Sequence, residues 1–182
     1  EGFLVAGIAS GVKKSGKRDL ALVAAKGGEP VPAAAVFTQS SMAAAPVQVS
    51  REHIADGTAQ AVVINAGNAN ACTGPQGLAD ARAMAAATAE ALVCEPADVI
   101  VGSTGVIGQP LPIETIVAGI AEAAEELDVN TGTETAEAIM TTDTHPKEIA
   151  VQLDVGDERY VVGGMAKGVG MIMPNMATML AV

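Results

Sequence analysis

A chain of 182 residues, 49% of them apolar, is long enough to bury a core and too apolar to stay disordered. Aromatic residues make up 2% and tryptophan is absent, so the core must be built from Ala, Val, Ile, Leu and Met. Against 21 acidic residues stand 10 basic ones, and the net charge of −11 argues against nucleic acid and anionic membranes as partners.

Residues 2–12 (GFLVAGIASGV) read as a strand loosened by glycines, and 13–18, with Lys13, Lys14, Lys17 and Arg18, as a solvated turn. The apolar run 20–25 (LALVAA) fits a strand buried on both faces. Gly27, Gly28, Pro30 and Pro32 end it. Residues 33–38 (AAAVFT) and the alternating 46–50 (PVQVS) read as further strands, and Ser50 to Gly57 as a short helix with a capping serine and a closing glycine.

Residues 59–65 (AQAVVIN) form the clearest buried strand, which runs into a polar loop holding Asn65, Asn68 and Asn70. An Ala-rich helix over 77–92 and a strand over 99–103 (VIVGS) follow. After the loop from Thr104, Pro112 and Glu114 open a helix that reaches about Leu127. The plan of strand, glycine-bearing polar loop and helix thus occurs twice. Then come a helix over 133–140 capped by Thr133, a polar loop over 141–146, and a hairpin of 147–155 and 159–165 around Gly156-Asp157-Glu158. Without a linker or low-complexity stretch, residues 1–182 read as one domain of mixed α/β class.

Cys72, Cys94, His53 and His145 have no metal-ligand spacing, so no metal is expected and both cysteines read as small buried hydrophobes. No apolar run reaches the roughly 18 residues of a membrane span. A cytoplasmic location is the expectation.

Several stretches can carry chemistry. Ser103-Thr104-Gly105 follows an apolar strand, and a glycine N–H beside a threonine hydroxyl can stabilise an oxyanion. Taken alone it reads first as an ordinary strand-to-helix turn. The asparagine loop reads as scaffolding for a site or as a set of local turns. Thr141, Thr142 and Asp143 can position a polar substrate or simply end a helix. Lys167, set among glycines, can pair with a carboxylate or lie in solvent.

The closing stretch 167–182 (KGVGMIMPNMATMLAV) reads as a buried strand, with Thr178 set into an apolar run. Thr178 is either a core residue or a nucleophile. No Gly-x-Ser-x-Gly element is present and neither histidine is tied to a hydroxyl, so a nucleophilic Thr178 needs another base. Cutting the Ala177–Thr178 bond supplies one, because the freed α-amine has a pKa of about 7.7–8.

Five blocks, NAGNANACTGP, STGVIG, AIMTTDTHPKE, GGMAKGVGM and PNMATML, resemble in sequence and order the ornithine acetyltransferase (glutamate N-acetyltransferase) family of arginine biosynthesis. The resemblance spans almost the whole chain. It implies a layered helix–sheet sandwich similar to that of aminopeptidases with an N-terminal nucleophile. It also implies self-cleavage between Ala177 and Thr178, which makes this chain the α-chain region plus the first residues of the β chain. Thr178 would then be the nucleophile that carries acetyl from N-acetylornithine to glutamate, with Thr104 and Gly105 as oxyanion hole and Thr141 and Lys167 as substrate-binding residues. The resemblance implies no metal and no cofactor, acetyl-CoA as co-substrate in some members, and an α2β2 or larger assembly in the cytoplasm. The neighbouring alternative is an amidohydrolase or aminopeptidase of the same nucleophile class. Without the β chain, exposed pairing edges are expected.

Overall fold

The computed structural model describes residues 2–173, 176 and 178–182. The strands are β1 (Phe3–Ile8), β2 (Leu20–Ala25), β3 (Val31–Pro32), β4 (Thr58–Ala59), β5 (Ala61–Asn68), β6 (Val99–Val106), β7 (Lys147–Val155), β8 (Glu158–Lys167) and β9 (Leu180–Ala181). The helices are α1 (Ala45–His53), α2 (Gly74–Leu92), α3 (Ile113–Glu125) and α4 (Gly132–Ala138).

The main sheet has the order β1-β2-β5-β6. Its first two pairings are antiparallel, and β5 and β6 run parallel with α2 as their crossover. Alternation along the strands divides the side chains between two layers. Leu20, Leu22, Val63, Val99 and Val101 pack with Met84 of α2 and with Ile116 and Ile120 of α3. Each such buried side chain contributes about 1.5–3 kcal/mol of apolar transfer. On the other face, Ala21 and Ile64 meet Ala138 and Ile139 at the end of α4, with Met165 and Leu180 alongside. Gly7 lets α4 lie against β1, since a Cβ there would stand 2.2 Å from the Glu134 carbonyl oxygen. The second sheet, β7-β8-β9, is antiparallel throughout. The result is the expected mixed α/β layering of helices and sheets.

Several local expectations are corrected. Residues 33–38 form no strand; only Val31–Pro32 pairs, with Thr58–Ala59, and Val36 is exposed. Residues 46–50 lie in α1 instead of a strand. Pro46 occupies the first helical turn, where a missing N–H costs nothing, and Val49 and Ser50 form the buried face. Ser50 is therefore no cap. Its Oγ donates to the Val101 carbonyl (2.7 Å) and accepts from the Val101 N–H (2.9 Å), which satisfies the outer edge of β6. The closing glycine holds: Gly57, at φ +81°, ends the 3-10 turn that follows α1. Helix α4 starts from Thr131, so Thr133 lies in its first turn.

Only one of the cysteines packs as a small hydrophobe: Cys94 lies against the main core, and Cys72 does not. Cys72 is exposed, at φ +57°, and Cys94 is partly buried. The closing stretch is not a buried strand over its described residues: Val169, Met171 and Met173 are exposed, and pairing resumes only at Leu180–Ala181.

Candidate active site

The parallel strands β5 and β6 bring Gly67 opposite Gly105 and Ala66 opposite Thr104 at their C-terminal ends. Crevices at such strand ends are where open α/β sheets bind ligands. Gly105 has φ +133°, and a Cβ there would stand 2.3 Å from the Gly67 carbonyl carbon. Glycine is required both by its dihedral and by the close approach of the two backbones. Thr104 is only 1% exposed. It lies on the face that meets α4 and β8, because it alternates with Ser103 along β6.

Lys167 closes β8 and is 3% exposed, so the solvent-exposed reading of this lysine is excluded. Its ammonium donates to Thr104 Oγ1 (3.0 Å) and to Thr141 Oγ1 (2.7 Å). Both threonine oxygens therefore act as acceptors, and their own hydroxyl hydrogens are free to point at a ligand. Burial lowers the Lys167 pKa, the Asp143 carboxylate raises it in part, and Lys147 lowers it further.

Asp143 sits beneath this cluster, its side chain 1% exposed. Burial alone would push its carboxyl up. Hydrogen bonds from Lys147, the Gly168 N–H and the Thr141 N–H, with the Lys147 charge, outweigh burial and hold it at about 2.

A cavity of about 1300 Å³ opens over these residues, and Lys13, Thr104, Gly105, Thr141, Lys167 and Thr178 all line it. The structure thus brings together every expected site residue that it describes. Ala177, the other half of the expected cleavage site, lies outside the described residues. The asparagines of the 65–75 loop do not line the cavity. They build the loop: Asn65 Nδ2 donates to the Asn68 carbonyl (2.9 Å), Asn68 Nδ2 to the Pro110 carbonyl (2.9 Å) and Asn70 Nδ2 to the Gly77 carbonyl (2.8 Å).

One wall escapes sequence reasoning. The turn of Lys13 to Arg18 is part of the cavity and not simply solvated. Lys13 Nζ donates to the Arg18 carbonyl (2.5 Å), and burial lowers its pKa, an effect that Asp19 opposes and Lys17 and Lys167 reinforce. The available signal was Asp19, an acid set directly before an apolar strand. It is fully buried and accepts from the Ser10 and Lys13 N–H groups (2.7 Å each), which folds the basic turn inward.

Among the described residues no cluster of three or more His, Cys, Asp or Glu side chains could hold a metal ion. Among them, too, no helix is long and apolar enough to cross a membrane.

Fold and site together define a layered α/β protein with a hydroxyl-and-lysine site at the ends of two parallel strands. The chain belongs to the ArgJ family, whose sequence model matches residues 4–182. It is 51% identical over 181 residues to the arginine biosynthesis bifunctional protein ArgJ of Symbiobacterium thermophilum, covering 98% of this chain and 44% of that protein. It therefore spans less than half the length of that relative. The crystal structure of the Bacillus halodurans ArgJ protein is similar at TM-score 0.88 and 42% identity, over 97% of this chain and 92% of that one. The Mycobacterium tuberculosis ornithine acetyltransferase, crystallised with ornithine, is similar at TM-score 0.89 and 44% identity, over 97% of this chain and 93% of that one.

Proposed function

We propose that the protein carrying this chain moves the acetyl group of N-acetylornithine to glutamate through an acetyl ester on Thr178. The observation that carries this reading is the convergence of Thr104, Gly105, Thr141, Lys167 and Thr178 on one cavity. In this reading the Ala177–Thr178 bond is first cut by the protein itself. The chain lengths support the cut: the matched crystal chains are covered to 92% and 93%, whereas the Symbiobacterium protein is covered to 44%. The crystallised chains are thus close to this one in length and about half of that protein.

The Thr178 oxygen adds to the acetyl carbonyl, and its proton passes to the α-amine of the same residue. The carbonyl oxygen becomes an oxyanion facing Thr104 and Gly105, an interaction of the kind worth about 3–4 kcal/mol of barrier. The C–N bond then breaks, the α-amine returns its proton to the departing ornithine nitrogen, and the acetyl ester remains. The glutamate amine attacks the ester and gives N-acetylglutamate and free Thr178. The remaining N–H of Lys167 holds the α-carboxylate common to both substrates. The site residues supply all the proton transfers, so no cofactor is required, and acetyl-CoA enters only as a second acetyl donor.

The site is completed by the remainder of the longer protein, the β chain, in an α2β2 or larger assembly. The β7–β8 hairpin supports this. Its residues alternate so that Ile149, Val151, Leu153, Tyr160 and Val162 share one face, and that face is exposed. We assign it to the β chain.

Incubation of the complete protein with acetyl-labelled N-acetylornithine, with and without glutamate, tests the reading. Label is expected in N-acetylglutamate; free acetate as the main product in both cases overturns transfer in favour of hydrolysis. Mass measurement of Thr178→Ala should find an uncut chain without transfer activity.

A further inference from the structure

The site residues come from distant parts of the chain, and one buried group ties them. Asp143 Oδ1 accepts from the Gly168 N–H (2.9 Å) and from Lys147 Nζ (2.6 Å), and Oδ2 accepts from the Thr141 N–H (3.2 Å). Thr141 lies in the loop after α4, Lys147 begins β7, and Gly168 directly follows Lys167 at the end of β8. One carboxylate thus clasps the three segments that carry Thr141 and Lys167.

We infer that Asp143 is the positioning residue of this site: its buried carboxylate holds Lys167 and Thr141 where they meet a substrate carboxylate. The inference rests on the proposed acetyl-transfer reading for what the site binds, and on the hydrogen bonds above for the clasp. Only a carboxylate can do this. An amide has one accepting oxygen and one NH2, so Asn at this position would set donor against donor on one of its two sides. Asp143 also acts through charge, since it favours the Lys167 ammonium that burial disfavours. The other charged groups facing Lys167 are Lys147 from β7, which opposes its protonation, and Lys13 from the turn after β1, whose own charge Lys167 opposes.

The test is the pH dependence of kcat/KM for N-acetylornithine in the complete protein. Asp143→Asn should raise KM and lower kcat/KM by about 10- to 100-fold, the scale of a small misplacement of a binding group. Its alkaline limb should move to lower pH, because Lys167 loses the carboxylate that favours its charge. Lys147→Met should move the same limb to higher pH, because a neighbouring positive charge is gone. In a Lys167→Met background, Asp143→Asn should raise KM by less than it does in the parent, the remainder acting through Thr141. An unmoved limb with unchanged KM in Asp143→Asn, or full additivity with Lys167→Met, overturns the inference. Should Asp143→Asn fail to fold, the half-exposed Lys147→Met decides alone, and a limb that stays or falls overturns it. Absence of acetyl transfer in the unaltered protein would instead refute the proposed function. The inference is then decided by nitrogen-15 NMR titration of the Lys167 ammonium, with the same opposite shifts expected.

Discussion

In the four-stranded sheet, alternation sends Leu20, Leu22, Val63 and Val101 to one face, and α2 and α3 bury it. In the β7–β8 hairpin, the same alternation sends Ile149, Val151, Leu153 and Val162 to one face, and that face is exposed. A period-two apolar pattern specifies a buried face wherever it occurs. One region has its cover within this chain and the other does not. The cavity lies where the two regions meet, with Thr104 and Gly105 from the covered sheet and Lys167 from the end of the hairpin. The site is therefore built half on a core covered within the chain and half on an element whose apolar face is exposed, and its two halves should fail in different ways.

The largest effect is expected in the covered sheet. Ile120 is fully buried between α3 and the sheet. Ile120→Ala should cost about 2–5 kcal/mol, from lost transfer energy and the cavity left behind. A fall in thermal midpoint checks it. A variant as stable as the parent would mean that this core is no better packed than the hairpin.

Next comes the junction. The Asp143 carboxyl is held at about 2 against an ordinary 3.8. A depressed folded-state pKa adds stability that is present above about pH 4 and is lost as pH falls towards 2. The shift corresponds to about 2 kcal/mol. Acid unfolding of the complete protein should therefore flatten in Asp143→Asn between pH 4 and 2, while parent and variant converge only below pH 2. Parallel curves over that window would remove Asp143 from the stability of the junction.

What could be read from the sequence follows the same division. Strands β2, β5 and β6 and helices α2 and α3 were legible because their apolar runs are buried within the chain. The hairpin was legible because its alternation and Gly156-Asp157 turn are local. Helix α1 was not, since PVQVS alternates like a strand, whereas in the fold its Val49 and Ser50 form one buried helical face. Thr104, Thr141 and Lys167 were recognisable from their motifs, but no motif states that one ammonium touches both hydroxyls. Lys13 shares its cavity with Thr104, Thr141 and Lys167, and Asp143 reaches across to Gly168, and local pattern is silent on such meetings.

The smallest effect on stability is expected where the comparison is sharpest. Val151 and Val162 are cross-strand neighbours, 46% and 60% exposed. Val162→Lys removes no contact with this chain's core, so its cost to the fold should stay within about 0.5 kcal/mol. If the β chain covers this face, the same lysine would be buried there unpaired, which is costly. Size-exclusion chromatography of the complete Val162→Lys protein should then show separated halves beside an intact assembly of the parent. An assembly that survives unchanged would mean that the apolar face of the hairpin stays in water, and that its alternation has a cause other than a partner.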